Sequence, residues 1–310
     1  MRLVEILSFV VFSGTVGVIL AFEWRWLLAL IRRQPLVSTL KVRIIHCIFF
    51  LGCLSAVDAF FIEPYWLEVR HIDIKTDKLK QASFVIVQIS DLHCDKQVRN
   101  EERLVRIVND LKPDAIVFTG DSINSLEALP LFKSTLSRLE ATSGKFAVQG
   151  NWDVWYWPDA DIFRSTGFEE LDGRFKIVKR GADQIAVAGL NPWKPGKMPL
   201  VLDKVPADIF KIFLFHYPGI HEEIGVNGVD LFLSGHVHGG QVALPFYGAI
   251  VTLSKYGKKY EDGLYPLAGG SHLFVSRGVG MEGGAVPRVR FFARPEITVF
   301  HIQPKNEKHE

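Results

Sequence analysis

Between Phe84 and Val148 the chain alternates short apolar runs with amphipathic ones, and each apolar run ends in side chains able to bind a metal. Phe84–Ile89 is β-rich and ends in Ser90-Asp91, with His93 two residues on. Arg99–Leu111 has helical spacing, with Leu104, Ile107, Val108 and Leu111 on one face, and Pro113-Asp114 breaks it. Ala115–Phe118 reads as a second strand, ending at Gly120-Asp121. Glu127–Leu139 is a second amphipathic helix, and Lys145–Val148 a third strand that ends at Gly150-Asn151. Such alternation predicts a layered α/β core. Further strands are expected at Ile185–Ala188, Ile212–Phe215, Leu231–Leu233, Leu273–Val275 and Ile297–Phe300.

The polar clusters carry the functional signal. They are Asp91 with His93, then Asp121, then Asn151 with Asp153, then His216, then His236 with His238. One such Asp alone is a turn or cap residue, and one buried His alone a satisfied core residue. Five clusters at strand ends, where the loops of α/β sheets converge, predict a site. Imidazole with carboxylate and amide oxygen suits Mn, Fe or Zn rather than a thiolate zinc site. The three cysteines are too few for a disulfide framework, and Cys94, beside His93, reads as packing. With 36 Lys+Arg against 34 Asp+Glu, the net charge of +2 excludes a nucleic-acid binder built on bulk charge.

Hydrophobic residues make up 48% of the chain, and the surplus sits in the first sixty-odd residues. Val4–Phe22 is long enough to cross a hydrocarbon core as a helix. A cleaved signal peptide would want a stronger cationic start than Arg2 and a small-residue cleavage site before Glu23. Ile44–Ile62 is a second apolar run, but His46 and Asp58 leave open whether it spans or lies at the interface. Between the runs stand Arg25, Arg32, Arg33, Lys41 and Arg43, with Trp24 and Trp26, so the connecting segment is expected on the cytoplasmic side. If the second run spans, all that follows is exported; if it lies on the surface, the remainder stays in the cytoplasm. The expected organisation is a membrane-associated segment over 1–68, a catalytic domain over 69–303 and a polar tail over 304–310.

In order, Ser90-Asp91-Leu92-His93, Gly120-Asp121, Gly150-Asn151-Trp152-Asp153, His216 and Gly235-His236-Val237-His238 resemble the calcineurin-like metallophosphoesterase signature. The stretch Gly235–Gln241, with Ser276–Gly280 and Arg294–Thr298, resembles its membrane-associated branch, which includes the chlamydial-type UDP-2,3-diacylglucosamine pyrophosphatase of lipid A synthesis. The resemblance implies a four-layer αββα sandwich and two divalent cations, Mn foremost, with Fe or Zn as alternatives. It implies one cation held by Asp91, His93 and His238 and another by Asn151, His216 and His236, with Asp121 bridging. Two cations about 3.5–4 Å apart acidify a water and neutralise phosphoryl charge. Asp121, Asn151, His216 and Asp153 are the implied catalytic group, Asp153 as an orienter of a His ligand.

One position departs from the signature. Trp152 stands where the family usually has His, and an indole N–H cannot deliver a proton. A general acid is worth about 10²–10⁴ in rate when the leaving group is poor. Its apparent lack favours pyrophosphate cleavage, with UDP-2,3-diacylglucosamine as the specific expectation. A broad cell-envelope phosphodiesterase or phosphomonoesterase, and a non-catalytic metal-binding scaffold, are the alternatives. Trp152, Arg277, Arg288 and Arg290 are the candidate substrate contacts, and Trp155, Tyr156 and Trp157 form an aromatic cluster beside them. The expected partners are an amphipathic phosphorylated lipid and a membrane, with neither nucleic acid nor a protein partner. A UDP-lipid substrate would favour the cytoplasmic face of the inner membrane.

Overall fold

The computed structural model describes residues 3–36, 38–283 and 288–305. The expected tail over 304–310 begins too early, since Pro304 pairs with Thr76 in the sheet and the Lys305 N–H donates to the Thr76 carbonyl; residues 306–310 lie outside the described residues. Two helices open the chain: α1 (Leu3–Ile31) and α2 (Leu40–Val57), the second running on through a π turn at Asp58–Ile62 and a 3₁₀ turn at Glu63–Tyr65. Both are long and apolar enough to cross a membrane, and nearly all of their side chains are exposed to the surroundings rather than packed inside the protein.

β1 (Glu68–Thr76), β2 (Phe84–Ile89), β3 (Ala115–Thr119), β4 (Lys145–Val148) and β5 (Glu169–Glu170) come next. β6 (Arg174–Arg180), β7 (Asp183–Gly189), β8 (Phe210–Leu214) and β9 (Leu231–Ser234) begin a second sheet. A short hairpin of β10 (Ala243–Leu244) and β11 (Gly248–Ala249) precedes β12 (Gly263–Pro266) and β13 (His272–Val275), and β14 (Glu296–Pro304) closes the chain's regular structure. The sheets run in the orders β1-β14-β2-β3-β4-β5 and β12-β13-β9-β8-β7-β6. In each, four consecutive strands are parallel: β2 to β5 in one, β7, β8, β9 and β13 in the other.

The sheets pack face to face through one apolar cluster that takes Ile86, Val117 and Phe300 from the first and Val187, Ile212, Leu233 and Phe274 from the second. The outer face of the first sheet is covered by α3 (Glu101–Asp110) and α4 (Leu129–Ser137), through Leu104, Val108, Phe132 and Leu136. That of the second is covered by α6 (Met198–Leu202) and α7 (Ile220–Ile224), α5 (Asn151–Tyr156) lying at the end of β4. This is the four-layer αββα sandwich, with both sheets buried on both sides, which explains why their strands read as continuous apolar runs. The expected strands are all present; β1 and β6 escaped notice because their outward positions are charged, and β5, β10, β11 and β12 because two to four residues are too few to show a pattern.

The proposed start of the domain at residue 69 needs correction. Glu63 is buried and its carboxylate accepts from the backbone N–H groups of Phe292 and Ala293. Asn100 donates to the Pro64 carbonyl (2.8 Å), and Leu67 sits in the core around α3. Residues 63–68 therefore belong to the globular body.

Candidate metal centre

The loops that leave β2, β3, β4, β8 and β9 meet at one end of the sandwich. Their polar residues are held there by unusual backbone. Asp91, His93, Asp121, His236 and His238 all have positive φ, between 38° and 74°. Non-glycine residues rarely sit there, and such strain persists only where surrounding structure over-determines it. Close packing of loops supplies the constraint: a Cβ on Gly235 would strike Ser90 Oγ and the Asp91 carboxylate, and one on Gly150 would strike that of Asp121.

Asp91, His93, Asp121 and His238 form one group in which the ligand atoms all lie within 4.8 Å of one another. Asp121, His216 and His236 form a second. Asp121 belongs to both. Asn151 joins the second, its Oδ1 2.9 Å from His216 Nε2. Asp121 Oδ2 is 3.5 Å from His93 Nε2 and 3.3 Å from His216 Nε2; Asp91 Oδ1 is 3.3 Å from His238 Nε2.

Three of the candidate ligands are oriented from behind. His216 Nδ1 donates to the Thr119 carbonyl (2.8 Å), which points Nε2 at Asp121. His93 Nδ1 donates to Asn124 Oδ1 (3.0 Å), while its buried Nε2 makes no hydrogen bond. Asn124 Nδ2 in turn donates to the carbonyls of His93 and Met281. Asp91 accepts from Ser90 Oγ (2.5 Å), and Thr119 and Gln88 extend that chain inward. A buried histidine nitrogen without a hydrogen bond, set beside two buried carboxylates, fits a divalent cation.

The electrostatics suit ligation at His93 and His236, while His216 holds its proton in the absence of a cation. Burial works against the Asp91 and Asp121 charges, yet histidines at contact distance hold both carboxyls below the ordinary aspartate range. Burial pushes His93 down to about 4 and His236 to about 3, so both imidazoles are neutral and able to ligate. His216 goes the other way, to about 9, because Asp121 outweighs its burial.

The other expected site residues divide. Asp153 does not orient a histidine. It is fully buried and accepts from the backbone N–H groups of Gly150 (2.8 Å), Asp121 (3.0 Å) and Ser122 (2.9 Å), so it shapes the loop that presents Asp121. Burial first, and then Asp121, lift its carboxyl to about 7. Arg290 is no substrate clamp: it has no exposed surface and donates to the carbonyls of Gly280, Ala293 and Arg277, with Nη2 3.5 Å from His238 Nδ1. Arg277 is tied to Glu296 and Glu68, and Arg288 to Asp95. All three guanidiniums thus hold loops together. Trp155 and Tyr156 are more than half exposed, because they lie on α5, where successive residues point 100° apart, and not on a strand.

Trp152 does line the site. Its ring stands edge-on to His93 (5.1 Å between centroids), its backbone N–H donates to Asp121 Oδ1 (2.8 Å), and its indole N–H donates to Glu282 Oε1 (3.2 Å). Glu282 was missed in sequence. Its signal was slight, a lone carboxyl inside the glycine-rich Gly278–Gly284 stretch. Burial, opposed by His238 and by the indole bond, leaves its carboxyl raised.

Comparison with known proteins agrees with this geometry. The family model for calcineurin-like phosphoesterases matches residues 84–240. An uncharacterized metallophosphoesterase of Bacillus subtilis, YkuE, is 34% identical over 263 residues, spanning 79% of this chain and 89% of its own. The Escherichia coli phosphodiesterase YaeI is 27% identical over 253 residues, spanning 78% and 90%. A zebrafish (Danio rerio) transmembrane protein with a metallophosphoesterase domain is 27% identical over 254 residues, spanning 74% of this chain and 56% of its own. The strand-end clusters, the two ligand groups that share Asp121 and these relatives lead to one conclusion: this chain belongs to the calcineurin-like phosphoesterase family and is a hydrolase of it.

Proposed function

We propose that this chain is a membrane-tethered, two-metal phosphoesterase whose substrate is a phosphorylated amphipathic lipid. The supporting observation is a largely apolar cavity of about 380 Å³ with His236 in its lining. Trp155, Phe215, Tyr217, Ile220, Leu253 and Tyr256 contribute to its wall. The Leu253 side of that wall is the loop that α1 grips: Glu5 accepts from the backbone N–H and the hydroxyl of Thr252. A cavity lined by a candidate metal ligand at one place and by the neighbour of the α1-bound Thr252 at another suits a substrate with its phosphate at the cations and its chain toward lipid.

When bound, the cations acidify water and neutralise charge on the phosphoryl oxygens. His216 and His93 are pre-oriented by Thr119 and Asn124, so their rings need no reorientation to serve, and His216 has only to give up its proton. Trp152 and Tyr217, the latter edge-on to His236 at 4.6 Å, wall the reacting phosphate from solvent.

The same contacts bear on sidedness. The first turn of α1 and the end of α2 both meet the globular body, so Arg32, Arg33, Lys41 and Arg43 cluster at the far end of the hairpin. Basic residues favour the cytoplasm. We therefore read the catalytic body as facing away from it, which favours an envelope lipid phosphoester over UDP-2,3-diacylglucosamine. The test is hydrolysis by detergent-purified, Mn-loaded protein of a long-chain and a short-chain lipid phosphate and of the UDP-lipid. Leu253→Asp should depress turnover of the long chain at least tenfold more than that of the short chain. Equal effects would refute the cavity reading, and preference for the UDP-lipid would restore the pyrophosphatase reading.

A further inference from the structure

We infer that the globular body makes its own contact with the bilayer, through an aromatic collar formed by the β10–β11 hairpin tip around Phe246 and by the segment around Phe292. The partner is the lipid headgroup layer and the acyl carbons just beneath it. This rests on the membrane-tethered reading above and adds a second, peripheral contact to the two helices.

The level at which each part of the collar meets a helix carries the argument. A helix rises about 1.5 Å per residue, so Val4–Phe22 matches a hydrocarbon core of about 30 Å. Ser8 lies one turn inside that run, and its hydroxyl is 2.5 Å from the Tyr247 hydroxyl. Around it Leu7, Phe9, Val10 and Val11 are exposed and apolar, as lipid-facing residues are. A hairpin that touches α1 there shares the level of those residues. On the other helix, the Arg290 N–H donates to the Ala59 carbonyl (3.0 Å) and the Phe292 N–H to Glu63 (2.8 Å). Phe291 and Phe292 also line one cavity with Leu54 and Ser55 of α2, which lie within the apolar run Ile44–Ile62.

The two contacts belong to one structure. Val242 is bridged to Phe291, the Ala243 N–H donates to the Phe291 carbonyl (2.8 Å), and the Phe291 N–H donates to the Gln241 carbonyl (2.9 Å). The strand leading to the α1 contact and the segment at the α2 root are therefore hydrogen-bonded neighbours. Lys258 stiffens the tip. Its Nζ lies 4.2 Å from the Tyr247 ring centroid and donates to the carbonyls of Tyr247 (2.9 Å) and Ala249 (2.7 Å).

The outward side chains suit lipid. Phe246 is wholly exposed, and Leu253, Phe292 and Trp66 are about half exposed. Phe246, Leu253 and Phe292 have φ of 64°, 54° and 52°, a region that bulky residues rarely adopt. The backbone thus bears a cost at three apolar residues that pack little against the protein, and lipid is the environment that would cover them. Tyr247 and Trp66, the latter 4.2 Å beneath the Arg294 guanidinium, have the ring type that favours the headgroup layer. Leu253 also lines the cavity that contains His236, so the collar sets one side of that cavity against lipid.

The test uses the full chain in vesicles of phosphatidylethanolamine and phosphatidylglycerol. The photoreactive p-benzoylphenylalanine replaces Phe246, Phe292, Phe12 or Lys179, one at a time. Phe12 is exposed on α1, and Lys179 is exposed at the end of β6 remote from the metal centre. Irradiation and mass spectrometry should give lipid adducts at Phe246, Phe292 and Phe12 and none at Lys179, in variants that keep the wild-type Tm. Should one collar variant lose that Tm, the other decides. Adducts at Phe12 without adducts at the collar would overturn the inference and leave the membrane-tethered reading standing. A crosslink from Phe246 to a second copy of the chain, or lipid adducts as strong at Lys179 as at Phe246, would overturn it as well. No lipid adduct at Phe12 would overturn the membrane-tethered reading, and this inference with it.

Discussion

Glu5, in the first turns of α1, is buried against Thr252, which gives it both a backbone N–H (3.0 Å) and a hydroxyl (2.5 Å). Ser8, one turn on, lies 2.5 Å from the Tyr247 hydroxyl at the tip of the β10–β11 hairpin. α1 and the loops that carry Tyr247 and Thr252 are therefore one mechanical unit. Glu5→Ala should leave Thr252 with unsatisfied buried donors and release the 250–256 loop. Limited proteolysis should cut that loop faster in the variant, and turnover of a long-chain lipid phosphate should fall several-fold. Unchanged proteolysis would show that α1 does not restrain the loop.

Asp121 is the residue shared by the two ligand groups. Asp121→Ala should abolish phosphoesterase activity and lower bound metal by more than one ion per chain, with the far-UV circular dichroism of the sandwich retained. Full metal content by elemental analysis would contradict the shared-carboxylate arrangement.

The corrected boundary has a direct consequence. A soluble chain starting at Ile62 keeps Glu63 on the Phe292 and Ala293 N–H groups and Leu67 in the core, whereas one starting at Val69 loses both. Burying Leu67 alone is worth about 2 kcal/mol, so thermal unfolding should place the shorter chain several degrees below the longer one. Equal Tm values would return residues 63–68 to the linker.

Arg290 gives a clean contrast with Arg288. Arg290→Met strands several buried carbonyl acceptors and should destabilise the domain by about 3 kcal/mol or more, as read by urea unfolding. Arg288→Ala removes a half-exposed partner of Asp95 and should fall within about 1 kcal/mol of wild type. A stable Arg290→Met with impaired substrate binding would reinstate it as a substrate contact.

Asp183 clamps the turn before β2. Its carboxylate accepts from the backbone N–H groups of Ala82, Gln81 and Lys80, which hold its pKa below the ordinary 3.8. A depressed carboxyl contributes stability that is fully present above its unfolded value and is lost as pH falls through the folded one. Stability of wild type relative to Asp183→Asn should therefore be constant above about pH 5 and shrink below pH 4. A difference that instead grows on acidification would contradict this arrangement.

Local pattern was enough for much of this protein. Phe84–Ile89 and Lys145–Val148 stand in the fold at the residues their composition marks, because strands buried on both faces need continuous apolar runs. The ligand-bearing residues, from Asp91 to His238, were readable for a related reason: each sits just past a strand, where the chain's period visibly ends. What no local pattern carries is the company a side chain keeps once the loops have closed on one another. Arg290 beside a glycine-rich loop looks like a phosphate clamp until Gly280, Ala293 and Arg277 enclose it. Asp153 looks like a partner for a histidine until three N–H groups take its oxygens. Glu282 meets Trp152 across 130 residues, and Glu5 meets Thr252 across 247. Spacing along the chain decides which elements form and where their polar ends fall; only the closure of two sheets on each other decides which of those ends touch, since burial and hydrogen bonding act between neighbours in space.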